Sequence, residues 1–205
     1  MKIGSKEYFE KYAKMSLVDV YNKKLTNAEL KDKPDIQDKE NDIGIEVTRS
    51  ELNQECLADS ISNKIFDKEL SIEEIKLRVS KKFKTFNGTI GEIDGVKYIS
   101  PFKGMIDYKT KLDRIIHSIE DKTQKFEENY TKFNENDLYI FTNDACITYG
   151  DIEKVIYNKR IDNCPFDVIF INCIDKIYMC RNKEINEIFL SDTQLKRFKI
   201  EAKKD

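Results

Sequence analysis

Asp42-Ile-Gly-Ile-Glu-Val-Thr-Arg49 is the stretch on which the reading of this chain turns. Ile43, Ile45 and Val47 alternate with Asp42, Gly44, Glu46 and Thr48. A period of two means a β-strand with one apolar and one polar face. Just before it, Pro34-Asp-Ile-Gln-Asp38 has the composition of a shorter strand, and Lys39-Glu-Asn-Asp42 reads as a turn. The two segments are predicted to pair as a β-hairpin.

Toward the N-terminus, Ser5 is a helix N-cap, with Glu7 and Glu10 in the opening turns where the helix dipole favours negative charge. Tyr8, Tyr12, Met15, Leu17, Val18 and Tyr21 then recur at helical spacing. Residues 26–33 are polar and read as a loop. Beyond the hairpin, helical patterning returns over about 52–70. Ser71-Ile-Glu-Glu74 has the form of a capping box and opens a helix reaching about Phe86. Asn87-Gly88 and Asp94-Gly95 are turn signals around short β-like runs, and Pro101 and Gly104 make residues 87–108 irregular.

Leu112, Ile115, Ile116, Ile119, Phe126, Tyr130 and Phe133 mark a long helix over about 111–133. Strands are predicted at 138–142 and 166–172, a short helix at 151–159, and further strands at 176–180 and 187–190. Residues 195–203 read as a basic tail, with a helix as the alternative. The order implies an α/β protein: a mixed central sheet with helices on both faces, one domain over 1–205, and a helical and loop insertion at about 71–110.

The bulk composition narrows the function. With 40% hydrophobic and 36% charged residues in periodic blocks, the chain has the makings of a packed core. A net charge of −2 provides no global field for nucleic acid, so any such binding needs a local basic strip. The five cysteines contain no Cys-x-x-Cys pair, which points away from a disulfide framework or thiolate zinc site and toward a reducing compartment. His117 is the only histidine, so two-histidine mechanisms are excluded, and its setting is that of a surface residue. There is no Gly-rich phosphate loop. Neither a signal peptide nor a run of about 18 apolar residues is present, so a cytoplasmic protein with no membrane span is expected.

The chemistry concentrates in the hairpin. Glu46 and Thr48 share one face of their strand, and pairing would bring Asp35 alongside Glu46. Two ionised carboxylates backed by apolar residues are costly, and a hard cation such as Mg²⁺ removes that cost.

Pro34-Asp35, ten residues, then Glu46-Val47-Thr48 resembles the motif of the PD-(D/E)xK nuclease superfamily, with a restriction-endonuclease-like core. The resemblance covers residues 5–70, extends to the strands at 138–142 and 166–172, and is absent from 71–110. It implies a metal-dependent nuclease hydrolysing DNA phosphodiester bonds with Mg²⁺ or Mn²⁺. Asp35, Glu46 and the Val47 carbonyl would be metal ligands, and Glu10 (or Glu7) would hold a water. The family lysine that orients the attacking water is replaced here by Thr48. Its hydroxyl can hydrogen-bond a water, and the positive charge would come from Arg49, Lys39 or Lys64. The rival expectation is a nuclease fold without catalysis, binding nucleic acid or a partner protein in a phage, defence or mobile-element setting. A third is an interaction protein with no site, its Asp35 and Glu46 far apart.

Lys76, Arg78, Lys81, Lys82 and Lys84, interleaved with Phe83 and Phe86, form the densest basic strip. It reads as a nucleic-acid-binding surface or as a solvated helix face balanced by Glu73 and Glu74. Lys196, Arg197, Lys199, Lys203 and Lys204 read as a charged tail. Gln54 either touches substrate or is an ordinary exposed side chain.

Overall fold

The computed structural model describes residues 5–21, 25–50, 55, 57, 58, 61, 62, 70–93, 95–101, 108–142 and 144–204. These form an α/β protein that divides into two compact units, one of residues 1–50 and 112–205, the other of residues 51–111.

The first unit is built on a seven-stranded mixed sheet. Its strands are β1 (Glu29–Leu30), β2 (Ile36–Asp38), β3 (Ile43–Arg49), β6 (Glu135–Phe141), β7 (Val168–Asn172), β8 (Lys176–Arg181) and β9 (Glu184–Phe189), in that spatial order. β3, β6 and β7 are parallel, and every other neighbour pair is antiparallel. β2 and β3 form the predicted hairpin, with Ile36 opposite Ile45 and Asp38 opposite Ile43. Its turn is held by Asp38, whose Oδ1 accepts the backbone N–H groups of Glu40 and Asn41, both at 3.1 Å. The loop predicted over 26–33 contains a 3-10 turn, Leu25–Asn27, and the two-residue β1.

Helix α1 (Lys6–Val20) starts where Ser5 Oγ accepts the Tyr8 N–H. Tyr8, Tyr12, Ala13 and Leu17 share one apolar cluster with Ile43, Ile45, Val47, Tyr139, Phe141, Val168 and Phe170. The opposite sheet face, with Leu138, Ile140, Ile169 and Ile171, packs with α3 (Tyr108–Asn129) and α4 (Tyr149–Ile156) through Ile115, Ile119, Ile152 and Val155. A buried chain of hydroxyls ties α1 to the sheet: Ser16 Oγ and Asn172 Nδ2 both reach Tyr139 Oη, at 2.8 and 2.7 Å. Gly44 answers a close approach, since a Cβ there would lie 2.5 Å from the Phe133 ring and 2.8 Å from Pro34.

The C-terminal segment takes the helical alternative and is more than a charged tail. It is a helix, α5 (Asp192–Glu201), capped by Ser191, and its fully buried Phe198 joins the α1 cluster. Lys196 and Lys199 are merely its solvent side.

The second unit contains α2 (Ile72–Lys82), whose Ser71–Glu74 capping box is formed, and a separate hairpin of β4 (Thr89–Ile93) and β5 (Val96–Ser100). The β-like runs around Asp94-Gly95 are thus regular strands. Ile61, Ile75, Val79 and Ile90 form its core. Of the helix expected over 52–70, residues 55, 57, 58, 61 and 62 are helical, and the others lie outside the described residues, Gln54 and Lys64 among them. Among the described residues, no helix is long and apolar enough to cross a membrane.

Candidate active site

Asp35 stands immediately before β2. The next residue, Ile36, is opposite Ile45, and Asp35 is near enough to Glu46 for its charge to act on that carboxyl. Asp35 is almost fully buried, and its Oδ2 accepts the Val47 N–H at 2.9 Å. Its Oδ1 lies 2.9 Å from Lys6 Nζ, which is also 3.3 Å from Glu10 Oε1. Lys6 and Glu10 are four apart on α1 and therefore project from one helix face. The hydrogen bond to Asp35 pushes the Lys6 ammonium above its usual range. Burial, followed by the Asp35 charge, pushes the Glu10 carboxyl up.

Glu46 points to the other face of the sheet from Ile45 and Val47, toward α3. Far from lying on a solvated strand face, it is 4% exposed. Lys122 Nζ is 2.6 Å from Glu46 Oε1, and the Tyr130 hydroxyl donates to the same oxygen at 2.7 Å. Glu46 Oε2 is buried and has no hydrogen-bond partner among the described residues. Burial raises the Glu46 pKa, and the negative charge of Asp35 raises it further, against the pull of Lys122. Burial and the Glu46 hydrogen bond likewise drive the Tyr130 phenol upward. Asp35 therefore acts electrostatically on both Glu10 and Glu46, and the three carboxyls form one interacting group.

A cavity of about 260 Å³ opens beside this group, lined by Lys6, Phe9, Glu10, Val47, Thr48 and Arg49. The Arg49 guanidinium stacks 4.7 Å over the Phe9 ring. Of the other sequence candidates, Glu7 is exposed and paired with Lys11 at 3.4 Å, and Lys39 is exposed on the hairpin turn. His117 is exposed on α3, with Glu120 as its neighbour at 3.8 Å. Lys76, Arg78, Lys81, Lys82 and Lys84 are all exposed, on α2 and just beyond it in the second unit.

Lys6, Lys122 and Tyr130 were not among the sequence candidates. Lys122 left a signal in the sequence. It falls between Ile119 and Phe126 in the apolar stripe of α3, where its ammonium is 15% exposed. A lysine in a core stripe needs a buried counter-charge. Lys6 had only its spacing to Glu10, which any surface helix might show.

Among the described residues, no three or more His, Cys, Asp or Glu side chains are grouped so as to hold a metal ion. The donor atom left open is Glu46 Oε2, a buried carboxylate oxygen without a partner among the described residues, whereas the two Asp35 oxygens are engaged by Lys6 and by the Val47 N–H. Two carboxylates are a sufficient protein contribution for Mg²⁺, which keeps several waters. The open Glu46 Oε2 is the feature on which a fit to such an ion rests. Comparison with protein-family models, with curated proteins and with solved structures found no match to this chain.

Proposed function

We propose that this chain is a divalent-metal-dependent nuclease of the restriction-endonuclease-like type, hydrolysing DNA phosphodiester bonds. One observation carries the reading: Glu46, with a buried carboxylate oxygen unpartnered among the described residues, lies within reach of the Asp35 charge and is hydrogen-bonded to a largely buried lysine. Asp35, Glu46 and the Val47 carbonyl would hold Mg²⁺ or Mn²⁺. When bound, such an ion lowers the pKa of a coordinated water and offsets charge on the phosphate.

The chain's own groups do the rest. Lys122, hydrogen-bonded to Glu46, would supply the cation that Thr48 does not. Thr48 lines the cavity and offers a hydroxyl to the same water. Glu10, its carboxyl raised by burial and by Asp35, can hydrogen-bond a further water. Lys6 and Arg49 on the cavity wall present positive charge to a phosphate.

A second reading is favoured by Thr48 and by the lysine already on each carboxylate: a nuclease fold that binds nucleic acid or a protein without cleaving. Two measurements separate them. Calorimetric titration with Mn²⁺ should show binding that Glu46→Gln or Asp35→Asn abolishes. Supercoiled plasmid in Mg²⁺ should be nicked by the parent chain and left intact by both variants. Lys122→Gln should keep Mn²⁺ binding while losing at least about a hundredfold in cleavage, the scale of one general acid–base or charge-stabilising group. Cleavage that survives Glu46→Gln overturns the nuclease reading, and absence of Mn²⁺ binding to the parent chain establishes the non-catalytic one.

A further inference from the structure

The second unit carries a groove of about 380 Å³ lined by Lys76, Val79, Ser80, Phe83, Lys84, Phe86, Gly88 and Ile90. From its geometry we infer that it is a binding site for an unpaired segment of polynucleotide. The inference deepens the nuclease reading and rests on it for taking the anionic ligand to be a nucleic acid.

Three features converge. The first is charge: between Ile75 and Gly91 the chain has five cations, Lys76, Arg78, Lys81, Lys82 and Lys84, and no acidic residue, in a protein of net charge −2. The acids that precede them, Glu73 and Glu74, are in the first turn of α2, where Glu74 is committed to the capping box. The second is the wall: Phe83 and Phe86 are half-buried against the Ile75–Val79–Ile90 core, and both also line the groove between Lys76 and Lys84. The third is Gly88, where a Cβ would lie 2.1 Å from the Ser100 carbonyl oxygen and 2.3 Å from Phe86 Cζ. Only a glycine lets the Phe86 ring settle against that backbone and form the groove wall.

These features discriminate between nucleic-acid forms. A duplex keeps its base faces stacked inside and meets a protein with phosphates, so it would use the lysines and leave the aromatic wall wet. An unpaired strand offers both phosphate and an exposed base face, and aromatic stacking with a basic track is how sequence-tolerant strand binding is built. The groove has both parts on adjacent residues.

The test uses the full chain in EDTA, with fluorescence anisotropy of a labelled oligothymidylate and of a mixed-sequence duplex of the same length. The oligothymidylate should bind at least tenfold more tightly. Phe86→Leu, which keeps the apolar packing, should weaken it about 5- to 150-fold, the range for removal of one stacking partner, with an unchanged melting temperature. Lys76→Gln with Lys84→Gln should reduce the slope of log affinity on log salt by about 0.7 for each phosphate no longer neutralised. Equal affinity for duplex and oligothymidylate, or an unmoved Phe86→Leu, overturns the assignment. So does tighter binding of a polyglutamate peptide. Since no divalent ion is present, failure of the nuclease reading would show separately, as loss of plasmid nicking with strand binding intact.

Discussion

Lys122 Nζ and Glu46 Oε1, 76 positions apart in the chain, form a 2.6 Å ion pair in which neither side chain is more than 15% exposed. This pair joins the middle of α3 to β3, and the candidate chemistry is centred on it.

Removing the cation alone should therefore be expensive. Lys122→Met leaves Glu46 buried with only Tyr130 as partner, and breaking a buried pair from one side costs about 3–5 kcal/mol. Urea unfolding at pH 8 should show that loss, and Glu46→Gln combined with Lys122→Met should recover much of it. The cost should shrink as the pH is lowered, because burial already favours the protonated form of Glu46. A loss under about 1 kcal/mol, typical of surface pairs, would mean that the pair is solvated.

Asp137 sets a second pH dependence, away from the candidate site. Its Oδ1 accepts the Val168 N–H at 3.1 Å, while its Oδ2 is buried without a partner among the described residues. Burial, with Glu135 nearby, pushes its pKa up to about 8, against the weaker opposing effect of Arg181. Below about pH 4 this carboxyl is neutral whether the chain is folded or not. From there to about pH 8 the unfolded chain ionises it and the folded chain does not, so its effect on stability becomes steadily more unfavourable. Asp137→Asn has no proton to lose. Its melting temperature, measured against the parent chain, should rise between pH 5 and pH 8; a constant difference would refute the assignment.

The C-terminal helix supplies a test of the core itself. Phe198 is fully buried and packs edge-on against Tyr12 at 5.5 Å between ring centroids. Phe198→Ala should cost about 3–5 kcal/mol. Lys196→Ala and Lys199→Ala, on the exposed side of the same helix, should stay within about 0.5 kcal/mol. Denaturant unfolding of the three variants suffices, and equal effects would return residues 195–203 to the status of a tail.

The hairpin was legible because its information is local. A period of two from Ile43 to Thr48, together with a turn at 39–42, determines the register, which sets Ile36 opposite Ile45. Helix α1 was legible through its cap and stripe, and the central strands through their apolar runs. The polar alternation of β3 left open what covers its second face, since alternation reports only that two faces differ; at Glu46 it is α3 that does so. The two-residue β1 pairs with β2 without a pattern long enough to detect.

Chain order and side-chain periodicity by themselves determined the α/β class and the hairpin, because each depends on neighbours a few residues apart. Only tertiary structure decided where the two carboxyls point and which cations meet them. Lys6 and Lys122 reach Asp35 and Glu46 across separations of 29 and 76 residues. Lys122 does so because the buried stripe of α3 lies against the sheet and turns the one lysine in that stripe toward a carboxylate that would otherwise be buried without a counter-charge.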